Sequence, residues 1–135
     1  MTQQFELPVR VYWADTDAGG VVYHSNYLDY CERARTEWLR QLGFSQQRLA
    51  ESEGVLFTVA RLAIEYHRPA RLDDLLQVRS RIELAGGASV EFNQEIWRDA
   101  PAADLLASVN VKVACVDAAS FRPRRLPASL REEFR

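Results

Sequence analysis

Two carboxylates, Asp15 and Asp17, stand in a glycine turn, Asp15-Thr16-Asp17-Ala18-Gly19-Gly20, which runs through Val21-Val22-Tyr23-His24-Ser25 into a helix beginning near Asn26. A carboxylate beside the positive end of a helix, with bare backbone N–H groups in reach, can attack a carbonyl or deliver water to it. The same N–H groups can hold the resulting oxyanion. Plain turn chemistry is the competing reading. Asp bonds its own backbone and Gly accepts positive φ, so both favour turns.

Other chemistries fit the residues worse. An EF-hand matches Asp at its first and third positions and Gly at its sixth, but Gly19 falls at the fifth and Asn26 at the twelfth, where a bidentate Glu belongs. A strand precedes the turn, where calcium would need a second helix. Zinc lacks a ligand set, because the only two histidines, His24 and His67, are far apart. Cys31 lies inside the helix and no Gly-x-Ser-x-Gly elbow occurs, so a Ser or Cys nucleophile has no support. No metal is expected.

The elements that must position the turn follow from periodicity. Val9, Val11 and Trp13 alternate with Arg10 and Tyr12 as a first strand. Tyr27, Cys31, Ala34, Trp38 and Leu42 then recur at helical spacing, with Asp29, Arg33, Glu37 and Arg40 opposite. Ser25 or Asn26 caps this helix, Asp29 makes a capping box with Asn26, and Gly43 stops it, for a length of roughly 25 Å. Ser45 caps a short second helix that ends by Gly54.

Period two then takes over. Leu62, Ile64 and Tyr66 precede a turn at Pro69, and Leu76, Val78, Ile82 and Leu84 alternate with Gln77, Arg79, Arg81 and Glu83. Gly86-Gly87 is a two-residue hairpin signal leading to Val90, Phe92 and Ile96. Leu105, Ala107, Val109, Val111, Val113 and Cys115 line one side of the last strand, and Pro123 and Pro127 mark an irregular tail. The expected fold is α+β: a five-stranded antiparallel sheet of meandering strands wrapped around one long central helix. One sheet face and the edge strands stay uncovered, so an oligomer is expected.

Composition bounds the rest. A chain of 135 residues with 47% hydrophobic and 27% charged content reads as one soluble domain spanning 1–135. A net charge of −2 and the lack of basic runs exclude nucleic acid as a partner. Arg122-Pro123-Arg124-Arg125 reads as a solvated tail, and Arg33, Arg35 and Arg40 as a solvated helix face. Nothing approaches the ~20 apolar residues of a transmembrane segment, and Met1–Glu6 lacks a signal core. Cys31 and Cys115 read as buried free thiols in a cytoplasmic protein. Trp13, Trp38 and Trp97 read as core or interface residues, and His67 as a strand end without chemistry.

The run from Arg10 to Tyr27, followed by Glu32-Arg33-Ala34-Arg35-Thr36-Glu37, resembles the signature of hotdog-fold acyl-CoA thioesterases. It is most similar to the Tol–Pal-associated (YbgC-like) branch of the 4-hydroxybenzoyl-CoA thioesterase family. The likeness continues through Ile64-Glu65-Tyr66, Pro69-Ala70-Arg71-Leu72-Asp73-Asp74, Cys115-Val116-Asp117 and Arg124-Arg125-Leu126-Pro127. The resemblance implies Asp17 as the catalytic carboxylate, and the backbone N–H of His24 as the oxyanion donor. The His24 imidazole is either pocket wall or a positioner of substrate or water. Tyr23 and Tyr27 would line the acyl pocket, while Phe57 and Thr58 would border the thioester across a subunit interface. Asp15 and Gly20 are supporting positions, Asp15 chiefly holding the turn.

The resemblance further implies dimers or homotetramers with acyl-CoA bound between subunits, and no cofactor, coenzyme A being part of the substrate. Asp17 would attack directly, giving an anhydride that water opens, or would activate water as a general base. The bulk of Tyr23, Tyr27 and Phe57 points to short-chain or aromatic acyl groups. Two rivals remain. One is an adaptor for an acyl carrier protein or envelope-linked enzymes with vestigial hydrolysis. The other is a hotdog hydratase, which has a tighter Asp-to-His spacing than the six residues between Asp17 and His24.

Overall fold

The computed structural model describes residues 3–99 and 103–134, so Met1 and Thr2 of the N-terminal segment lie outside the described residues. The elements are β1 (Gln4–Arg10), α1 (Asn26–Gln41), α2 (Gln46–Ser52), β2 (Val55–Tyr66), β3 (Leu75–Ala85), β4 (Ser89–Arg98), β5 (Asp104–Asp117) and α3 (Ala128–Glu133). The five strands form one antiparallel sheet in the order β1-β3-β4-β5-β2. The α+β class and the five strands are as expected.

The meander is corrected. Only β3, β4 and β5 follow one another. β2 crosses to the far edge and pairs with β5, from Val55 opposite Asp117 to Tyr66 opposite Ala107. Alternation reports which face a residue takes, and says nothing of which strand lies alongside.

α1 is sixteen residues long, about 24 Å. It buries Tyr27, Tyr30, Cys31, Ala34 and Trp38; Leu42 is only half-buried, and Tyr30 takes the place on the inner face that spacing missed. One core group joins Tyr27, Tyr30, Cys31 and Ala34 to Val11, Val78, Ile96 and Leu106 under the Asp turn. A second gathers Trp38, Leu49, Phe92, Leu126 and Leu130 at the other end. The C-terminus closes as a Schellman motif: Gly43 at φ +96 donates to the Arg40 carbonyl at 2.9 Å, and Phe44 N–H to the Leu39 carbonyl at 3.0 Å. The expected capping box is absent among the described residues, because Ser25 makes no side-chain cap and Asn26 gives its amide to Asp15. Ser45 does cap α2, accepting from Arg48 N–H at 3.2 Å.

Several local expectations also change. Trp13 leaves the strand for a single 3-10 turn, Trp13–Asp15, and is 83% exposed. Trp97 is half-buried with the Arg79 guanidinium 4.9 Å over its ring, and Trp38 alone of the three is core. A bulge between Ile82 and Leu84 turns Leu84 outward, and another opposite Ile96 and Trp97 puts Leu106, in place of Leu105, in the core. The tail is partly ordered, since α3 and the residue run before it bury Leu126 and Leu130. Arg124, read as solvated, donates to the Gly54 carbonyl at 3.0 Å and to Asp117 at 3.3 Å.

Both cysteines are free and buried, and burial pushes the Cys31 thiol up to about 12 and raises Cys115 as well. Thiolate is the reactive form, so both should be inert at pH 8. Titration with a thiol-reactive disulfide dye is expected to count no fast thiol in the native protein and two after unfolding.

Candidate active site

The Asp turn hangs between α1 and the loop that follows β2. Asp15 holds it. Its carboxylate accepts from Tyr12 N–H at 2.9 Å and from the Asn26 amide at 3.1 Å, while its carbonyl accepts from Tyr23 N–H at 2.8 Å. Asp15 thereby ties the start of the turn to Tyr12, to Tyr23 and to Asn26 at the start of α1. Asp17 is held differently. Its N–H donates to the Val21 carbonyl at 2.9 Å, and one carboxylate oxygen accepts from Gly19 N–H at 2.8 Å. Its other oxygen has no partner among the described residues. Gly20 donates to the Asp17 carbonyl at 3.0 Å and sits at φ +78, where a side chain is strained, so this glycine shapes the turn.

Asp17 and His24 line one open cleft of about 360 Å³ with Tyr27, Tyr66, His67 and Pro69. His24 precedes the first turn of α1. Its carbonyl accepts from the Tyr66 hydroxyl at 2.7 Å, and its N–H has no acceptor among the described residues. The Tyr27 ring is core, its hydroxyl accepting from Ala70 N–H at 3.0 Å and its edge meeting Tyr66 at 5.3 Å. Burial raises the pKa of Tyr27, with the Ala70 N–H opposing, and burial raises Tyr66 too. Neither phenol is poised to ionise near neutral pH. Tyr23 stands outside the cleft, stacked obliquely on His24 at 4.4 Å.

Phe57 and Thr58 are not brought to Asp17 within the chain. They lie at the opposite end of β2 and line a different pocket. Sequence reasoning also missed that His67 shares the cleft, where its Nε2 lies 3.0 Å from the Ser108 hydroxyl. The strand ending at Tyr66 was legible, but the pairing of β2 with β5 that carries His67 to this spot was not. Among the described residues no cluster of side chains is fit to hold a metal, and no helix is long and apolar enough to cross a membrane.

Arg98 braces the cleft from behind. It bonds Asp74 and Asp104 at 2.9 Å each and the Pro69 carbonyl at 3.2 Å, with its side chain only 17% exposed. Ala70, the next residue, is bonded to Val22 N–H and to the Tyr27 hydroxyl, so the brace reaches the turn. Arg98→Gln is expected to lower stability by about 2 kcal/mol, as loss of partly buried charged hydrogen bonds does. Denaturant unfolding checks this, by a lower midpoint at unchanged slope.

A model of the thioesterase-like superfamily matches residues 11–134. The acyl-CoA thioesterase YbgC of Haemophilus influenzae is 47% identical over 130 residues, 96% of this chain and 93% of that protein. The acyl-CoA thioester hydrolase YbgC of Escherichia coli is 48% identical over 134 residues, 99% of this chain and 98% of its own length. A solved structure of a probable thioesterase from Bartonella henselae superposes with a TM-score of 0.86 at 38% identity, covering 93% of this chain and all of that one.

Proposed function

Since this chain belongs to the thioesterase-like superfamily and has the hotdog fold, we propose that it hydrolyses short-chain or aromatic acyl-CoA to the free acid and coenzyme A. One observation carries the reading: Asp17, with one carboxylate oxygen pinned by Gly19 and the other unengaged among the described residues, shares a cleft with the unspent N–H of His24. The free oxygen attacks the thioester carbon, the C–S bond breaks, the departing thiolate takes a proton from solvent, and water splits the acyl anhydride into the free acid and the regenerated Asp17 carboxylate. Alternatively Asp17 takes a proton from water as that water attacks. In both routes the thioester oxygen gains charge beside His24 N–H, where one good donor contributes roughly 3 kcal/mol. The similarity to YbgC proteins named as acyl-CoA thioester hydrolases supports this chemistry.

The working form proposed is an oligomer built on β2. Asp17 and His24 are exposed in one chain, and water would screen both the carboxylate and the N–H. The outer edge of β2 has no neighbouring strand among the described residues, and Val59 and Leu62 on it are 47% and 39% exposed. Long open edges with apolar side chains pair readily. Antiparallel self-pairing about Arg61, near the middle of β2, sets Phe57 of one copy opposite Glu65 of the other, beside Tyr66 and its cleft. That restores Phe57 and Thr58 to the site from across the interface.

The test is thiol release over a panel of acyl-CoAs from acetyl to decanoyl, with benzoyl. Turnover favouring short or aromatic members is expected. Tight binding of an acyl carrier protein with no turnover of any acyl-CoA would overturn the assignment.

A further inference from the structure

The pocket lined by Phe57 and Thr58 holds chemistry that the hydrolysis does not use. It is a cavity of about 140 Å³ between α1, β2 and the last residues of the chain, walled by Phe57, Phe92 and Phe134. Engineered cavities of about 150 Å³ accept benzene, so this one has room for one ring or roughly six carbons. Arg35 enters it from α1, partly buried. One of its N–H groups donates to the Gln94 side-chain oxygen at 2.9 Å. Gln94 is fully buried, and its amide nitrogen is spent on the Cys31 carbonyl at 3.0 Å and the Ser80 hydroxyl at 2.9 Å, which fixes that oxygen toward Arg35.

Arg35 therefore rests on a neutral amide and has no carboxylate partner in ion-pair contact among the described residues. Glu32 stands at the exposed rim and influences it only at a distance. Burial pulls the Arg35 pKa down, with Cys31 and Glu32 opposing. A guanidinium offers five donors in a planar fork, and a poorly hydrated one with unused donors gains most from an oxygen acceptor.

Reach decides which acyl group can supply that acceptor. Within one chain, Phe57 lies nine residues from Tyr66 along β2, about 30 Å at strand rise. No short acyl group spans that. Across a β2–β2 interface the partner's Phe57 would be one strand spacing, about 5 Å, from Glu65 beside the cleft. We infer that this pocket receives the far end of the acyl group, and that Arg35 selects acyl groups ending in a carboxylate or hydroxyl over plain alkyl ends of equal length. The inference rests on the thioesterase reading and on the β2 pairing.

Hexanoyl-CoA, 6-hydroxyhexanoyl-CoA and adipoyl-CoA share six acyl carbons and differ only at the far end. The expected kcat/KM for the two oxygenated substrates is at least ~10-fold above that for hexanoyl-CoA, as a charged hydrogen bond provides. In Arg35→Met the oxygenated-to-plain ratio should fall to near unity. Arg35→Lys keeps the charge but loses the fork, and should lower the ratio several-fold, which keeps the test open if the Met variant does not fold. Equal kcat/KM in the wild type, or an unchanged ratio in both variants, overturns the inference while leaving hydrolysis intact. Turnover of none of the three alongside turnover of shorter acyl-CoAs also overturns it. No turnover of any acyl-CoA overturns the thioesterase reading as well.

Discussion

Val59→Lys with Leu62→Lys is expected to yield a folded monomer whose kcat/KM toward acyl-CoA is at least ~10²-fold below wild type, because both the cover and the far wall of the site are lost. The two residues stand 47% and 39% exposed on the free edge of β2, so lysine there costs the isolated chain little. At a two-fold axis near Arg61 the same change gathers four new ammonium groups beside two existing guanidinium groups. Like charges brought that close oppose pairing by several kcal/mol. Sedimentation gives the mass, circular dichroism the fold, and thiol release the activity. A monomer of full activity would remove the interface from the account. A dimer that persists would place the contact on another surface.

The parts of the site that were legible in the sequence are those made by local chemistry. The Asp15–Gly20 turn is bonded within itself and to its close neighbours in sequence, from Tyr12 and Trp13 before it to Val21, Tyr23 and Asn26 after it, and each bond involves residue types that favour turns. The limits of α1 were readable for the same reason, with Gly43 ending it in a local motif. What could not be read depends on distant pairing. His67 and Tyr66 reach Asp17 only because β2 lies on the far edge beside β5, and that register has no signature in alternation. Bulges in β3 and β5 reverse the faces of Leu84 and Leu106 after a clean pattern had placed them otherwise. Arg98 resembles any charged strand residue until Asp74 and the Pro69 carbonyl from the β2–β3 loop and Asp104 from the start of β5 converge on it. Arg35, grouped with the solvated arginines of α1, turns inward because Gln94 waits in the core.

Asp17→Asn is expected to fold normally and to lose at least ~10²-fold in kcat, the scale set by removal of a principal catalytic group. The amide is the same size, and its oxygen can still accept from Gly19 N–H at the position now 2.8 Å away, so the turn keeps its shape. What disappears is the negative oxygen that attacks the thioester or accepts a proton from water. Asp15→Asn should behave differently. Its loss weakens bonds to Tyr12 N–H and Asn26, and shows first as lowered stability. The measurement that decides the account is thiol release from one acyl-CoA by wild type and Asp17→Asn at equal folded concentration. Turnover by the wild type and a fall of at least ~10²-fold in the variant are predicted. Equal rates in the two proteins would contradict the assignment of the chemistry to Asp17.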